Sequence, residues 1–130
     1  MTEKDANGTH VKERVIHTPD VEWHDLPQFP GNVKAKVLRE DPSSGAKVMI
    51  VRLTVGAQIV PHAHSSAVQH YVLEGEYESE GRVYRAGAYR FLPPHASLAP
   101  ITTTGGVVML MVYDPVCSSE GAGGSDATVG

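Results

Sequence analysis

Gly56-Ala57-Gln58-Ile59-Val60-Pro61-His62-Ala63-His64 sets a glycine, five intervening residues and then two histidines with one alanine between them. Alternate side chains of an extended strand share a face, so His62 and His64 point the same way and bring two imidazole nitrogens towards one cation. Imidazole suits Zn, Fe, Cu and Ni. Downstream lie Tyr71-Val72-Leu73-Glu74-Gly75-Glu76 and then Ala86-Gly87-Ala88-Tyr89-Arg90-Phe91-Leu92-Pro93-Pro94.

Around these blocks the apolar residues recur every second position. Val33-Lys34-Ala35-Lys36-Val37 alternates apolar with basic, as in a half-buried strand whose lysines face water. The stretch from Lys47 to Val55 sets Met49, Val51, Leu53 and Val55 on one face, with Arg52 and Thr54 on the other. Further strands are predicted over Val68 to Tyr77, Arg82 to Tyr84, Ala88 to Leu92 and Val107 to Tyr113. Gly75, Gly81, Gly87 and Gly105-Gly106 punctuate them as turns. No helical stripe interrupts the pattern, which predicts an all-β sandwich or barrel.

At 130 residues the chain has room for one such domain. Eleven Lys+Arg against 15 Asp+Glu give a net charge of −4 with no basic cluster, which argues against nucleic acid or an anionic membrane surface as partner. One cysteine, Cys117, excludes an intrachain disulfide framework and points to a reducing, cytoplasmic setting. No apolar run reaches the length of a membrane span. The polar residues 1–14 and the Gly/Ser-rich residues 117–130 bury too little apolar surface to offset their ordering entropy, so both ends are expected to be disordered around a barrel over 15–116. An unpaired sheet edge invites pairing, and a homodimer is the expected assembly.

The three blocks, in their order and separation, resemble the barrel motifs of the cupin superfamily. The likeness runs from Val33 to Pro115, with a weaker match in the lead-in Trp23-His24-Asp25-Leu26-Pro27 and Phe29-Pro30-Gly31. Within that superfamily the chain is most similar to the branch of acetylacetone-cleaving and 2,4'-dihydroxyacetophenone dioxygenases and of an anti-sigma-factor cupin. The resemblance implies a single-domain jelly-roll barrel. It also implies a divalent transition metal, Fe(II) foremost with Zn or Ni as alternatives, held by His62, His64, an acidic residue and a third histidine.

The chain departs from that ligand pattern. Where relatives carry the acidic ligand this sequence has Val68, or Gln69 with one residue of slippage, and Leu98 stands where the third histidine is usual. If Ser65-Ser66-Ala67 is a hairpin loop, His64 opposes Val68 and His62 opposes His70, with Cβ atoms about 4.5–5.5 Å apart. His70 is then the first choice for the third ligand. His95 would serve if the Pro93-Pro94 loop is re-routed, and Gln69 if a bulge turns it inward. His10, His17 and His24 are read as surface residues, Trp23 as packing over the barrel end, and Met49, Met109 and Met111 as core or pocket lining.

Neutral histidine ligands leave the metal's charge uncompensated and favour an anionic chelating substrate such as an enolate. Val68 and Leu98 make the predicted pocket apolar, with Tyr71, Tyr89 and Tyr113 as candidate hydrogen-bond donors. The leading expectation is an Fe(II)-type dioxygenase that cleaves a carbon–carbon bond in a small β-diketone or aryl hydroxyketone. The alternatives are a non-redox isomerase, lyase or hydrolase using the metal as a Lewis acid, and a non-catalytic sensing cupin.

Overall fold

The computed structural model describes residues 2–4, 10–29, 32–60 and 64–116. Their strands are β1 (Thr2–Lys4), β2 (His10–Lys12), β3 (His24–Asp25), β4 (Val33–Asp41), β5 (Ala46–Leu53), β6 (Gln58–Ile59), β7 (Val68–Ser79), β8 (Arg82–Arg85), β9 (Tyr89–Leu92), β10 (Ile101–Thr102) and β11 (Val107–Tyr113). The one helical element among the described residues is a 3-10 turn at Thr18–Asp20. The period-two reading of the sequence is therefore the right one. Among the described residues no helix is long and apolar enough to cross a membrane.

Nine strands form one curled antiparallel sheet in the order β3-β4-β5-β11-β7-β10-β6, with β8 and β9 also paired to β7. The inward face carries the core, in which Val33, Ala35, Val51, Leu53, Val72, Val107 and Met109 are almost fully buried. The two faces separate cleanly because the register aligns inward residues across three strands, Ala35 with Val51 and Val51 with Met109. One local expectation changes. Val55 lies in the turn after β5 and is 71% exposed, because the strand ends at Leu53 and Ala57 N–H closes the turn on Thr54 O. Residues 2–4 and 10–12 pair as an antiparallel ladder, in which backbone groups satisfy one another without apolar side chains. The tail 117–130 lies outside the described residues.

β7 organises the sheet. Its first four residues pair with both β9 and β11, and its last four with β8, with Glu78 also opposing Thr102 of β10. Between these halves the register against β11 shifts, so that Val72 opposes Met109 while Glu74 opposes Val108, leaving Leu73 as an extra residue. The inward parity changes with it. Val68, His70 and Val72 are buried before the bulge, and Tyr77 and Ser79 after it. Lys36 and Arg52 flank the Trp23 ring on the outer face, at 4.8 and 4.4 Å from its centroid.

Gly75 sits at the bend with φ +72°, and a Cβ there would overlap the carbonyl oxygen of Gly106. Left-handed backbone costs a residue with a side chain about 1–2 kcal/mol, and here the facing backbone must move as well. Gly75→Ala is expected to lower stability by at least about 2 kcal/mol. The midpoint of urea unfolding at constant m-value measures it.

Candidate functional site

The inward faces of β5, β7, β9 and β11 enclose a cavity of about 80 Å³. Its lining is mostly apolar: Met49 and Val51 from β5, Val68 from β7, Leu92 from β9, Met111 from β11, and Leu26, Phe29, Leu98 and Ile101 from connecting segments and the edge. Among the described residues three polar side chains share it, His64, His70 and Tyr113. A space of this size holds several water molecules or a ligand of a handful of non-hydrogen atoms.

His70 reaches the cavity by strand parity, as the buried neighbour of Val68 and Val72, and is 2% exposed. The hairpin register predicted from the sequence does not exist. A strand has two edges, and at Val68 they are occupied by Leu92 and Tyr113, and at His70 by Arg90 and Met111. His64 therefore cannot oppose Val68. It follows β6 outside any strand, its carbonyl accepting the His95 N–H at 2.7 Å, and its ring meets Tyr113 edge-on at 5.2 Å between centroids. His62 lies outside the described residues.

The other candidates separate by face. Gln69 points outward, its amide donating to Asp114 Oδ1 at 2.9 Å and its carbonyl accepting from Tyr89 Oη at 2.7 Å. The bulge comes after it, at Leu73, and does not turn it inward. Tyr89, expected in the pocket, stands on the outer face and is 57% exposed, because it is paired with the outward Tyr71 across β7 and β9. His95 is exposed in the Pro93-Pro94 turn, with φ +63°, and touches the site through its backbone bond to His64. Of the three tyrosines, Tyr113 alone lines the cavity. Its hydroxyl makes no hydrogen bond among the described residues, and burial raises its pKa, so it is a neutral donor.

Sequence reasoning missed the polar network behind His70. Tyr77 Oη lies 2.9 Å from His70 Nδ1, and Arg90 Nη1 donates to the same oxygen at 3.4 Å. Arg90 pairs with Glu80 at 3.8 Å and stacks over Tyr84, which itself stacks on Tyr77 at 4.9 Å. The only signal in the sequence was the glycine at 75, which permits the bend that carries Tyr77 back against His70. Leu26 and Phe29, noted only within the lead-in, also turn out to line the cavity.

Among the described residues no three His, Cys, Asp or Glu side chains converge on a point that could hold a metal ion. The donors at the cavity, His64 and His70, are of the type that first-row divalent metals take. They fit such a metal in kind, and fall short of a complete set in number.

Burial first, and then the positive charge of Arg90, lowers the His70 pKa from 6.5 to about 4. The folded protein keeps this ring neutral where the unfolded chain would protonate it. Its contribution is intact above the unfolded value and is lost as pH falls from 6.5 towards 4. In metal-free protein the loss over that interval is expected to be about 3 kcal/mol larger for wild type than for His70→Gln, read from unfolding curves at successive pH values.

No curated protein matches the chain in sequence. Among solved structures, acetylacetone dioxygenase from Acinetobacter johnsonii superposes with a TM-score of 0.74 at 17% identity, covering 85% of this chain and 80% of that one. An RmlC-like cupin from Shewanella frigidimarina gives 0.67 at 23% identity, covering 82% and 95%. The anti-sigma factor ChrR of Rhodobacter sphaeroides, solved with SigE, gives 0.61 at 20% identity, covering 75% of this chain and 51% of that one. These likenesses establish the jelly-roll cupin barrel. The ChrR cupin-like domain matches residues 11–116, and the chain belongs to that family.

Proposed function

We propose that this cupin binds a small carbonyl compound in the cavity between β5, β7 and β11 and, with a divalent transition metal, cleaves one of its carbon–carbon bonds by oxygenation. The observation that carries the reading is the cavity itself, a small, mostly apolar chamber whose polar lining among the described residues is two imidazoles and one phenol. Its volume of about 80 Å³ favours a compact β-diketone over an aryl hydroxyketone. The fold shared with acetylacetone dioxygenase supports the same substrate class.

His62 and His64 are the residues we assign to the metal, on the parity of the His-Ala-His stretch and the position of His64 at the cavity. Fe(II) bound there would supply the redox chemistry that dioxygen needs. The protein's own part is clearer. Met49, Met111, Leu26 and Phe29 exclude water from a reacting carbon framework, and the Tyr113 hydroxyl is placed to donate to a carbonyl oxygen. Desolvation strengthens that hydrogen bond.

Metal analysis of protein purified without chelator, together with oxygen uptake on pentane-2,4-dione, tests the proposal. Iron with uptake is the expected result, and the double variant His62→Ala/His64→Ala should lose the bound metal while remaining folded. Zinc without uptake would transfer the assignment to Lewis-acid chemistry. Diketone binding by metal-free protein would favour a sensing cupin. A homodimer belongs to this proposal, since Tyr71, Leu73, Tyr89 and Phe91 expose a contiguous apolar patch on the outer face of β7 and β9. Sedimentation velocity is expected to give a dimer, and a monomer at tens of micromolar protein would remove that element.

A further inference from the structure

We propose that His70 is locked by Tyr77 and Arg90 in the tautomer that carries its proton on Nε2, and that it presents this N–H as a hydrogen-bond donor to the carbonyl or enolate oxygen of the ligand, not as a metal ligand. The donor role rests on the proposed function, that a small carbonyl compound occupies the cavity. The tautomer follows from the structure alone.

The protons around one oxygen fix the tautomer. Tyr77 is 1% exposed, and its hydroxyl has one hydrogen to place. Two groups reach that oxygen, His70 Nδ1 at 2.9 Å and Arg90 Nη1 at 3.4 Å. A guanidinium only donates, so Arg90 takes a lone pair of the oxygen and offers no acceptor. His70 Nδ1 is left as the acceptor for the tyrosine proton, and buried hydroxyls are as a rule hydrogen-bonded. A neutral imidazole whose Nδ1 accepts carries its hydrogen on Nε2. Burial and Arg90 both favour that neutral ring.

Ligation of a metal through Nε2 would require the opposite tautomer. The Nδ1 proton and the Arg90 proton would then both point at Tyr77 Oη, and the hydroxyl hydrogen would have no acceptor among the described residues. Arg90 adds a positive charge that acts on His70 and opposes a second cation there. The same charge favours an anionic oxygen. Nε2 has no partner among the described residues, while His70 lines a cavity whose walls are otherwise mostly apolar. An N–H in such a place is satisfied by an oxygen that the ligand brings.

Two-bond 1H–15N correlation spectra of metal-free, 15N-labelled protein decide the tautomer, with the His70 signals identified by their absence in His70→Gln. The expected spectrum shows Nε2 protonated and Nδ1 unprotonated, and the pattern persists when zinc is added. In Tyr77→Phe the lock is gone, and the two tautomers should mix. Affinity for pentane-2,4-dione is expected to fall at least tenfold in His70→Met and by no more than a few fold in His70→Gln, which keeps an N–H. A proton on Nδ1 in the wild-type protein, or a tenfold loss of zinc affinity in His70→Ala, would overturn the assignment. Wild-type protein that binds no diketone yet shows the Nε2–H form defeats the proposed function and the donor role with it, while supporting the tautomer.

Discussion

The bend in β7 is the constraint on which the rest of the molecule depends. His70 and Tyr77 are seven residues apart on one strand, a separation that spans about 23 Å in a straight chain. Two side chains cannot bridge that distance, yet their polar atoms lie 2.9 Å apart. The strand must bend sharply, and it does so where Leu73 is inserted against β11 and Gly75 adopts positive φ. The near approach of Gly75 to Gly106 leaves no room for a side chain at the turning point. One bulge thus redirects half of a strand, exchanges its inward parity and brings Tyr77 against His70.

This arrangement buries a polar chain within an otherwise mostly apolar core. Arg90, Tyr77 and His70 run as a chain from Glu80 at the surface to the cavity, braced by the stacking of Tyr77, Tyr84 and the guanidinium. In a low-dielectric setting such a network rigidifies its members when every group is satisfied and is costly when one is not. Its effect on His70 is to hold the ring at a fixed angle and in a neutral state. An apolar residue there would pack as well and would present no polar atom to a ligand.

The front of the cavity is held differently. His64 lies outside regular structure and is fixed by its neighbours, through the His95 backbone N–H on its carbonyl and the Tyr113 ring against its own. The positive φ of His95, unusual for a residue with a side chain, sits in the turn that supplies this bond. The site therefore has a rigid back wall built on β7 and a front built on loops. A ligand entering between them would meet His70 at the back and Tyr113 to the side.

Much of this was legible in the residues themselves. Alternation over Val33–Val37, Lys47–Leu53 and Val107–Tyr113 specified strands because a side-chain period of two has no other regular solution, and the glycine-punctuated motifs carried the cupin likeness. The inward direction of His70 could be read from its neighbours Val68 and Val72. The partner strands of β7 could not. Pairing is a contest among all strands for two edges, and the sequence next to His64 holds no record that β9 and β11 win both. The choice of Tyr113 over Tyr89 was equally out of reach, since it depends on which face of a four-residue strand the fold turns outward. The contact between His70 and Tyr77 was the least visible, because a single inserted residue exchanges inside for outside without changing the alternation on either side of it. Local periodicity determined which elements form and which residues share a face; only the tertiary structure decided which faces meet, because that outcome rests on edges, bends and registers that no short window of sequence contains.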